Sequence, residues 1–182
     1  MTTAAEYQQR ITTYDRPRLL ELWTRIEASD TPDWEPGKAL EYLIPRAFEL
    51  EGASVTYPFM IQMGGTILEQ IDGAVYCDGF ACLIECKDQA DNIAIDPVAK
   101  LRNQLLRRPA GVIGLIFTTT QFTQATQILA QYNANQAILL WEGSEIDYAL
   151  QNQCFRQGLI QKYRYCVERA AANYRIDLGD LP

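Results

Sequence analysis

The sequence predicts an α/β fold with a mixed sheet of roughly five strands, which combines an antiparallel hairpin with a later parallel unit. Residues 67–76 and 80–87 are apolar, β-prone segments joined by Asp78-Gly79, the strongest short signal for a two-residue hairpin. Two later runs, GVIGLIF at 111–117 and AILLW at 137–141, are continuously apolar, as in strands buried on both faces. A helical pattern separates these two runs, which predicts a right-handed parallel crossover.

Helical patterns precede the sheet. Residues 4–28 carry apolar side chains at helical spacing, with an expected break at 15–17, and residues 30–37 form a turn-rich connection. A second helix is predicted over residues 38–50, where Pro45 lies inside the apolar pattern. Because proline has no N–H to bond the carbonyl of Glu41, we expect a kink at that acidic residue.

The remaining elements follow from apolar runs and capping residues. Asp96 is expected to cap a helix that has Pro97 at its first position and turns Val98, Leu101 and Leu105 inward. Thr118 to Thr120 are candidate N-caps for the helix between the two apolar strands. The predicted spans are a first strand at 53–62, helices at 98–108 and 121–132, a short helix at 142–150 and a tail helix at 155–174.

Length and composition predict a single domain for the 182 residues. It is divided into an N-terminal helical arm at 1–35, a core at 36–141 and C-terminal helices at 142–182. Hydrophobic residues at 48% and charged residues at 21% are ordinary values for a globular chain. No run approaches the ~20 apolar residues of a membrane span, and the first residues lack a signal-peptide core, so we expect a cytoplasmic protein without membrane contact.

The residue types present narrow the possible chemistry. The sequence contains no histidine, which excludes Ser-His-Asp and Cys-His catalysis and histidine–metal nucleases. Five cysteines form no CxxC pair, so we predict reduced, mostly buried thiols and no structural zinc site. Any chemistry must therefore rest on carboxylates, lysine, tyrosine or a metal ion.

The predicted hairpin brings acidic residues together. If Asp78-Gly79 forms the loop, Asp72 lies opposite Glu85 and Gln70 lies opposite Lys87, all on one face of the sheet. A loop one residue longer would move Asp72 to the other face. Carboxylates opposite each other repel unless a positive charge separates them, which a divalent cation could supply.

These residues resemble a known active site. Asp72, twelve intervening residues and Glu85-Cys86-Lys87, preceded by Glu41 on a helix, resemble the PD-(D/E)XK nuclease superfamily, nearest its Mrr-like type IV restriction and Holliday junction resolvase branches. The resemblance covers about residues 36–141 and departs from the pattern in having isoleucine before Asp72. It implies a restriction endonuclease-like three-layer α/β/α core, ordered α-β-β-β-α-β-α-β, with extra N- and C-terminal helices.

The same resemblance implies a site for Mg²⁺ or Mn²⁺. Asp72, Glu85 and the backbone carbonyl of Cys86 would hold the ion, and Glu41 would be a ligand or an immediate neighbour. Lys87 would orient or help deprotonate the attacking water and stabilise the developing charge, while the Cys86 thiol points into the core. The alternative is a surface salt bridge on an exposed hairpin, but LIECK is too apolar for an exposed strand.

Substrate contacts are predicted on two elements. Gln70 could hold Lys87 or touch substrate, and the helix after the hairpin offers Lys100, Gln104 and Arg107 to phosphates. The tail helix is the second candidate for DNA contact, although packing or a solvated face would also explain its basic residues, which are Arg156, Lys162, Arg164, Arg169 and Arg175. The net charge of −7 opposes a large non-specific DNA footprint.

Three functions remain open from the sequence. The first is a Mg²⁺-dependent DNA endonuclease of restriction, defence or repair, expected to act as a homodimer because cutting a duplex usually needs two sites. The second is a binding or assembly module that keeps the nuclease fold without catalysis. The third is a nuclease directed at RNA.

Overall fold

The computed structural model describes residues 2–132 and 136–179, which form seven helices and seven strands. The helices are α1 Ala4–Thr12, α2 Arg16–Glu27, α3 Lys38–Leu50, α4 Asp96–Leu105, α5 Gln124–Gln131, α6 Gly143–Asn152 and α7 Phe155–Arg169. The strands are β1 Ser54–Thr56, β2 Phe59–Met63, β3 Thr66–Ile71, β4 Gly73–Cys77, β5 Phe80–Lys87, β6 Val112–Thr118 and β7 Ile138–Trp141.

The predicted mixed sheet is confirmed. Five strands pair in the order β1-β4-β5-β6-β7, antiparallel from β1 to β5 and parallel from β5 to β7. Along β5, Cys82 and Ile84 pack in a core shared with α1, α2, α3, α6 and α7, whereas Leu83 packs in a second core with α4 and α5. Since successive strand residues face opposite sides of a sheet, the two cores lie on its two faces, giving three α/β/α layers.

The register predicted for the central hairpin is also confirmed. Asp78 and Gly79 have φ values of 51° and 83°, the left-handed pair that a two-residue type I′ turn needs. Cys77 pairs with Phe80, and the pairing continues to Gly73 opposite Ile84. The local turn chemistry therefore fixes which face each β5 side chain occupies.

The predicted strand at 67–76 is in fact two strands that separate at Gly73. This glycine has a φ of 154°, and a Cβ there would lie 3.1 Å from both the Pro45 side chain and the Thr56 carbonyl. The chain bends at this close approach, so Gln70 pairs with Met60 in a separate β2–β3 sheet. The prediction that Gln70 lies opposite Lys87 is therefore wrong. The first strand, predicted at 53–62, likewise divides into β1 and β2.

Helix ends differ from the predictions where capping was inferred from single residues. Asp96 lies inside α4, whose N-cap is Ile95, and α5 is capped by Thr123, whose hydroxyl accepts the Thr126 N–H. The earlier threonines form a turn of their own, since Thr118 accepts the Thr120 N–H. Helix α3 begins and ends as predicted and continues through Pro45, but α4 ends at Leu105 and α7 at Arg169, both earlier than predicted.

The cysteines are free thiols in the described residues, with Cys82 and Cys86 buried and the other three partly exposed. This agrees with the absence of a disulfide framework in the sequence. Among the described helices, none has the length and apolar character needed to span a bilayer.

Candidate active site

A cavity of about 360 Å³ lies where α3, the β3–β4 bend, the end of β5 and α4 meet. Each of these elements contributes a residue that the sequence had singled out. The cavity is lined by Glu41, Gln70, Asp72, Cys86, Lys87 and Lys100. Glu85 is completely buried next to it and contacts two of the lining lysines.

Asp72 occupies the bend between β3 and β4. One of its carboxylate oxygens accepts the backbone N–H of Cys86 at 2.8 Å, which ties the bend to β5. Burial, followed by repulsion from Glu85 and Glu41, raises the pKa of Asp72 to about 7. The fold therefore places two further carboxylates close enough to oppose the ionisation of Asp72.

Glu85 projects from β5 on the face opposite Cys86. Its side chain has no exposed surface, yet its two oxygens contact two ammonium groups. Lys87 lies 2.6 Å from one oxygen, and Lys100 reaches both oxygens, at 2.9 and 2.6 Å. Because a buried carboxylate is costly without partners, these two lysines offset the cost of burying Glu85 in the core.

Lys87 is held as an ammonium group. Burial alone would lower its pKa, but the hydrogen bond to Glu85 and the attraction of Glu85 and Asp72 raise the pKa above its usual value. In this state Lys87 can stabilise negative charge but has no free lone pair to accept a proton. Its electrostatic role is therefore better supported than direct deprotonation of water.

The Cys86 thiol faces away from the site, as predicted. It contacts the Leu40 carbonyl of α3 at 3.9 Å, and burial raises the pKa of the thiol well above its usual value. A thiol that stays protonated is a poor nucleophile. What Cys86 offers the site is its backbone.

Glu41 reaches the cavity from the first turn of α3. Its carboxylate forms an ion pair with Lys38, one turn earlier on the same helix, which also lines the cavity. Lys38 was not among the site residues predicted from the sequence, although its spacing of three residues from Glu41 on a helix could have indicated the pair.

The residues around Asp72 fit a hard divalent cation with retained water. In the part of the chain that the structure describes, no three acidic or cysteine side chains are grouped as a ready-made metal site. Mg²⁺, however, is usually held by one or two carboxylates and several waters. Asp72, Glu85 and the Cys86 carbonyl provide such a set, and the mutual repulsion at Asp72 is what a cation would relieve.

Two of the predicted phosphate contacts lie beside the cavity instead of in it. Gln104 is buried and donates its amide to the Gln70 carbonyl at 3.2 Å, which ties α4 to β3. Arg107 is half-exposed and forms an ion pair with Glu69, which also contacts Arg108 at 2.6 Å. An adjoining groove of about 390 Å³ is lined by Gln104 and Arg107, with Glu69 and Gln70, and shares Lys100 with the cavity.

The basic tail helix is mostly engaged in structural contacts. Lys162 is completely buried, lies 2.5 Å from Glu145 and donates to the Leu140 carbonyl at 2.7 Å. Arg156 binds the Asp78 carboxylate at 2.7 and 2.9 Å, and Arg175 contacts Glu142 at 2.6 Å. These three residues correspond to the packing alternative considered for the tail helix, although Arg175 lies beyond the end of α7, while Arg164 and Arg169 are exposed.

Replacing Lys162 with methionine is expected to lower the free energy of unfolding by about 3 kcal/mol, because it leaves the buried Glu145 carboxylate without its closest cation. Urea denaturation measures the change. The exposed Arg164→Met is the control, with an expected effect of about 0.5 kcal/mol or less. Stability equal to wild type together with weaker DNA binding would instead indicate that Lys162 reaches substrate.

Comparison with solved structures shows what kind of fold surrounds this site. The small subunit of the heterodimeric restriction endonuclease R.BspD6I is 14% identical, with a TM-score of 0.60 over 85% of this chain and 89% of that one. The restriction endonuclease MspJI, in complex with a 27-mer oligonucleotide, is 18% identical over 96% of this chain and 40% of that one, with a TM-score of 0.45. A protein of unknown function, AF1548, is 20% identical over 56% of each chain, with a TM-score of 0.44.

The fold and the arrangement of Asp72 and Glu85-Cys86-Lys87 define a restriction endonuclease-like domain of the PD-(D/E)XK type. The family model Mrr_cat, described as a restriction endonuclease, matches residues 34–150, and the chain belongs to this family. No curated protein sequence matches the chain. The predicted resemblance is confirmed, and the chain is a nuclease-type domain.

Proposed function

We propose that the protein is a Mg²⁺-dependent, or Mn²⁺-dependent, endonuclease that hydrolyses DNA phosphodiester bonds. The observation that carries the proposal is the convergence of the Asp72 and Glu85 carboxylates with Lys87 at one cavity, with the pKa of Asp72 raised by its acidic neighbours. Family membership and the fold support nuclease chemistry at this position.

Each residue has a distinct role in this proposal. Asp72, Glu85 and the Cys86 carbonyl would hold the ion, and Glu41 would be a ligand or an immediate neighbour. When bound, the ion would polarise a phosphodiester oxygen and lower the pKa of a water molecule. Lys87 stabilises the negative charge that develops on the phosphoryl oxygens.

Hydrolysis then proceeds by attack of water on phosphorus. The new bond forms between the water oxygen and phosphorus, the bond from phosphorus to the 3′ oxygen breaks, and a proton moves to that leaving oxygen. The products are a 5′-phosphate and a 3′-hydroxyl. Lys100 and Gln70, on the wall shared with the adjoining groove, are placed to contact the phosphates on either side.

DNA is the proposed substrate because the neighbour with the same overall fold is a restriction endonuclease subunit. We further propose that the chain forms one domain, acts in restriction, defence or repair in the cytoplasm, and works as a homodimer so that two sites can cut a duplex. RNA is the alternative substrate within the same chemistry.

Incubation of purified protein with supercoiled plasmid, single-stranded DNA, branched DNA and a structured RNA, each with Mg²⁺ or Mn²⁺, tests the proposal. We expect nicking or linearisation of DNA that requires the metal and is lost in Glu85→Ala. Glu21→Ala, an exposed glutamate on α2, is the matched control and should cleave as wild type does. Cleavage of RNA alone would identify RNA and not DNA as the substrate. Activity of Glu85→Ala equal to that of wild type would contradict the assigned site.

One observation favours the second candidate, a nuclease fold used for binding or assembly. Glu85 is already neutralised by two lysines, and the described residues contain no preformed group of three metal-binding side chains. This candidate predicts that neither Mg²⁺ nor Mn²⁺ binds at Asp72 and that no nucleic acid is cleaved.

A further inference from the structure

Lys100 contacts both oxygens of the Glu85 carboxylate, which the proposed function assigns as a ligand of the metal. Its ammonium nitrogen lies 2.9 Å from one Glu85 oxygen and 2.6 Å from the other, and Lys87 lies 2.6 Å from the first. Glu85 is fully buried, so these two ammonium groups are the charges that balance it directly. A cation that binds Glu85 must therefore compete with a lysine for the same oxygen atoms.

We infer that Lys100 is a displaceable counterion of Glu85, which leaves this carboxylate when a divalent cation binds and thereby sets the metal affinity of the site. The inference rests on the proposed function and deepens it. It concerns Lys100 and not Lys87, because the Lys100 side chain is the more exposed of the two.

Helix α4 does not depend on the Lys100 ion pair for its position. Val98, Leu101 and Leu105 of this helix are completely buried against the sheet, and the Gln104 amide binds the β3 backbone. The Lys100 side chain is 45% exposed, so its flexible stem can carry the ammonium group to water at little cost. Its departure leaves the helix packed as before.

Lys87 is held more firmly at the site. It lies on the same strand as Glu85 and is 30% exposed, whereas Lys100 is 45% exposed, and both lysines are attracted by Asp72 as well as by Glu85. When a divalent cation occupies the site, the two lysines and the ion would crowd three positive centres around a single buried carboxylate. The half-exposed Lys100 is the one that can leave.

Displacement gives Lys100 a second position on the same wall. The residue lines both the cavity and the adjoining groove, so an ammonium group released from Glu85 stays where we propose that substrate phosphates lie. Metal binding would thus convert a neutralised lysine into a phosphate contact. Metal and DNA would each strengthen the binding of the other, as linkage requires.

Titration of Mn²⁺ alone into the full chain, followed by calorimetry without DNA, tests the inference. Lys100→Met removes the competing ammonium group, and Lys100→Gln does so with a polar side chain in case the first variant folds poorly. We expect either variant to bind Mn²⁺ with an affinity at least about tenfold higher than that of wild type, because the ion no longer displaces a charged partner.

Two controls separate competition from a general change in charge. Lys100→Arg keeps a cation on Glu85 and should bind Mn²⁺ within about threefold of wild type. Arg102→Met removes an exposed positive charge from the same helix and should change the affinity by about twofold or less, because exposed charges are screened.

The outcomes distinguish this inference from the proposed function. Wild-type binding that is unchanged or weakened in the methionine and glutamine variants would overturn the displacement of Lys100 and leave the metal site intact. Absence of Mn²⁺ binding in wild type and in every variant would overturn both. Binding by Lys100→Met and Lys100→Gln but not by wild type would support the role of Lys100 as a counterion of Glu85. It would contradict the proposal that the wild-type site binds the metal on its own.

Discussion

Asp72→Asn is expected to decrease cleavage strongly while making the metal-free protein more stable at pH 8. The decrease in activity follows from removing a charged group that we propose as a ligand of the ion. Metal ions contribute several kcal/mol of charge stabilisation to such transition states, and each 1.36 kcal/mol is a factor of ten in rate, so we expect a decrease of about 1000-fold. Asparagine keeps an oxygen that can accept the Cys86 N–H, so the bend should persist.

The gain in stability follows from the raised pKa of Asp72. The folded protein binds the proton of this carboxyl more tightly than the unfolded chain, because burial, Glu85 and Glu41 oppose its ionisation. The stabilisation due to the protonated form is complete below about pH 4 and is lost as the pH rises through about 7. Above pH 7 the wild-type protein therefore retains an unfavourable charge that Asp72→Asn lacks.

Urea denaturation of both proteins at pH 5 and pH 8, without divalent metal, measures this effect. We expect Asp72→Asn to exceed wild type by on the order of 2 kcal/mol at pH 8 and by less at pH 5, since one pKa unit corresponds to about 1.4 kcal/mol. Asp30→Asn, which alters an exposed carboxylate, should change stability by about 0.5 kcal/mol or less at either pH. A variant less stable than wild type at pH 8 would show that the Asp72 charge is satisfied by its surroundings.

Lys87→Met is expected to reduce the turnover number by about 100- to 1000-fold, the usual cost of losing one group that stabilises transition-state charge. The affinity for Mn²⁺ should be unchanged or higher, because the substitution removes a cation that contacts Glu85 at 2.6 Å. A loss of turnover with retained metal affinity would distinguish the role of Lys87 from that of Asp72. Substitution of Asp72 should lower both turnover and metal affinity.

Single-turnover cleavage at saturating Mn²⁺, together with Mn²⁺ titration, tests this separation. Lys87→Arg keeps a positive charge and should recover part of the lost rate. Lys38→Met removes the partner of Glu41 and should leave the contacts of Glu85 intact. Cleavage by Lys87→Met at the wild-type rate would assign the electrostatic role to another lysine of the cavity.

The parts of the fold that sequence could predict depend on local chemistry. Asp78-Gly79 admits the left-handed backbone of a tight turn, and the twofold repeat of the strands then determines which β5 side chains share a face. The division at Gly73 could not be foreseen in this way, because it depends on the approach of Pro45 and Thr56 from other elements. An isolated glycine in a strand pattern signals such an approach without identifying its partner.

The same distinction between local chemistry and contacts with other elements applies to the candidate site. The spacing of Asp72, Glu85 and Lys87 indicated which residues would meet, since all three lie on or beside one hairpin. Their partners could not be inferred, because the pairing of Lys100 with Glu85 depends on how α4 packs against the sheet. Lys162 shows the same limit, as a single lysine on a helix is usually solvated, yet here it is buried against Glu145.

The outer edge of β7 has a consequence for how the protein can associate. The Leu140 N–H donates to the Ala172 carbonyl at 3.2 Å, and the Leu140 carbonyl accepts the Lys162 ammonium group, so the chain itself occupies this hydrogen-bonding edge. At the opposite edge, β1 has only three residues, too few to template a long ladder. Neither edge of the five-stranded sheet therefore favours extension of that sheet into a second copy of the protein.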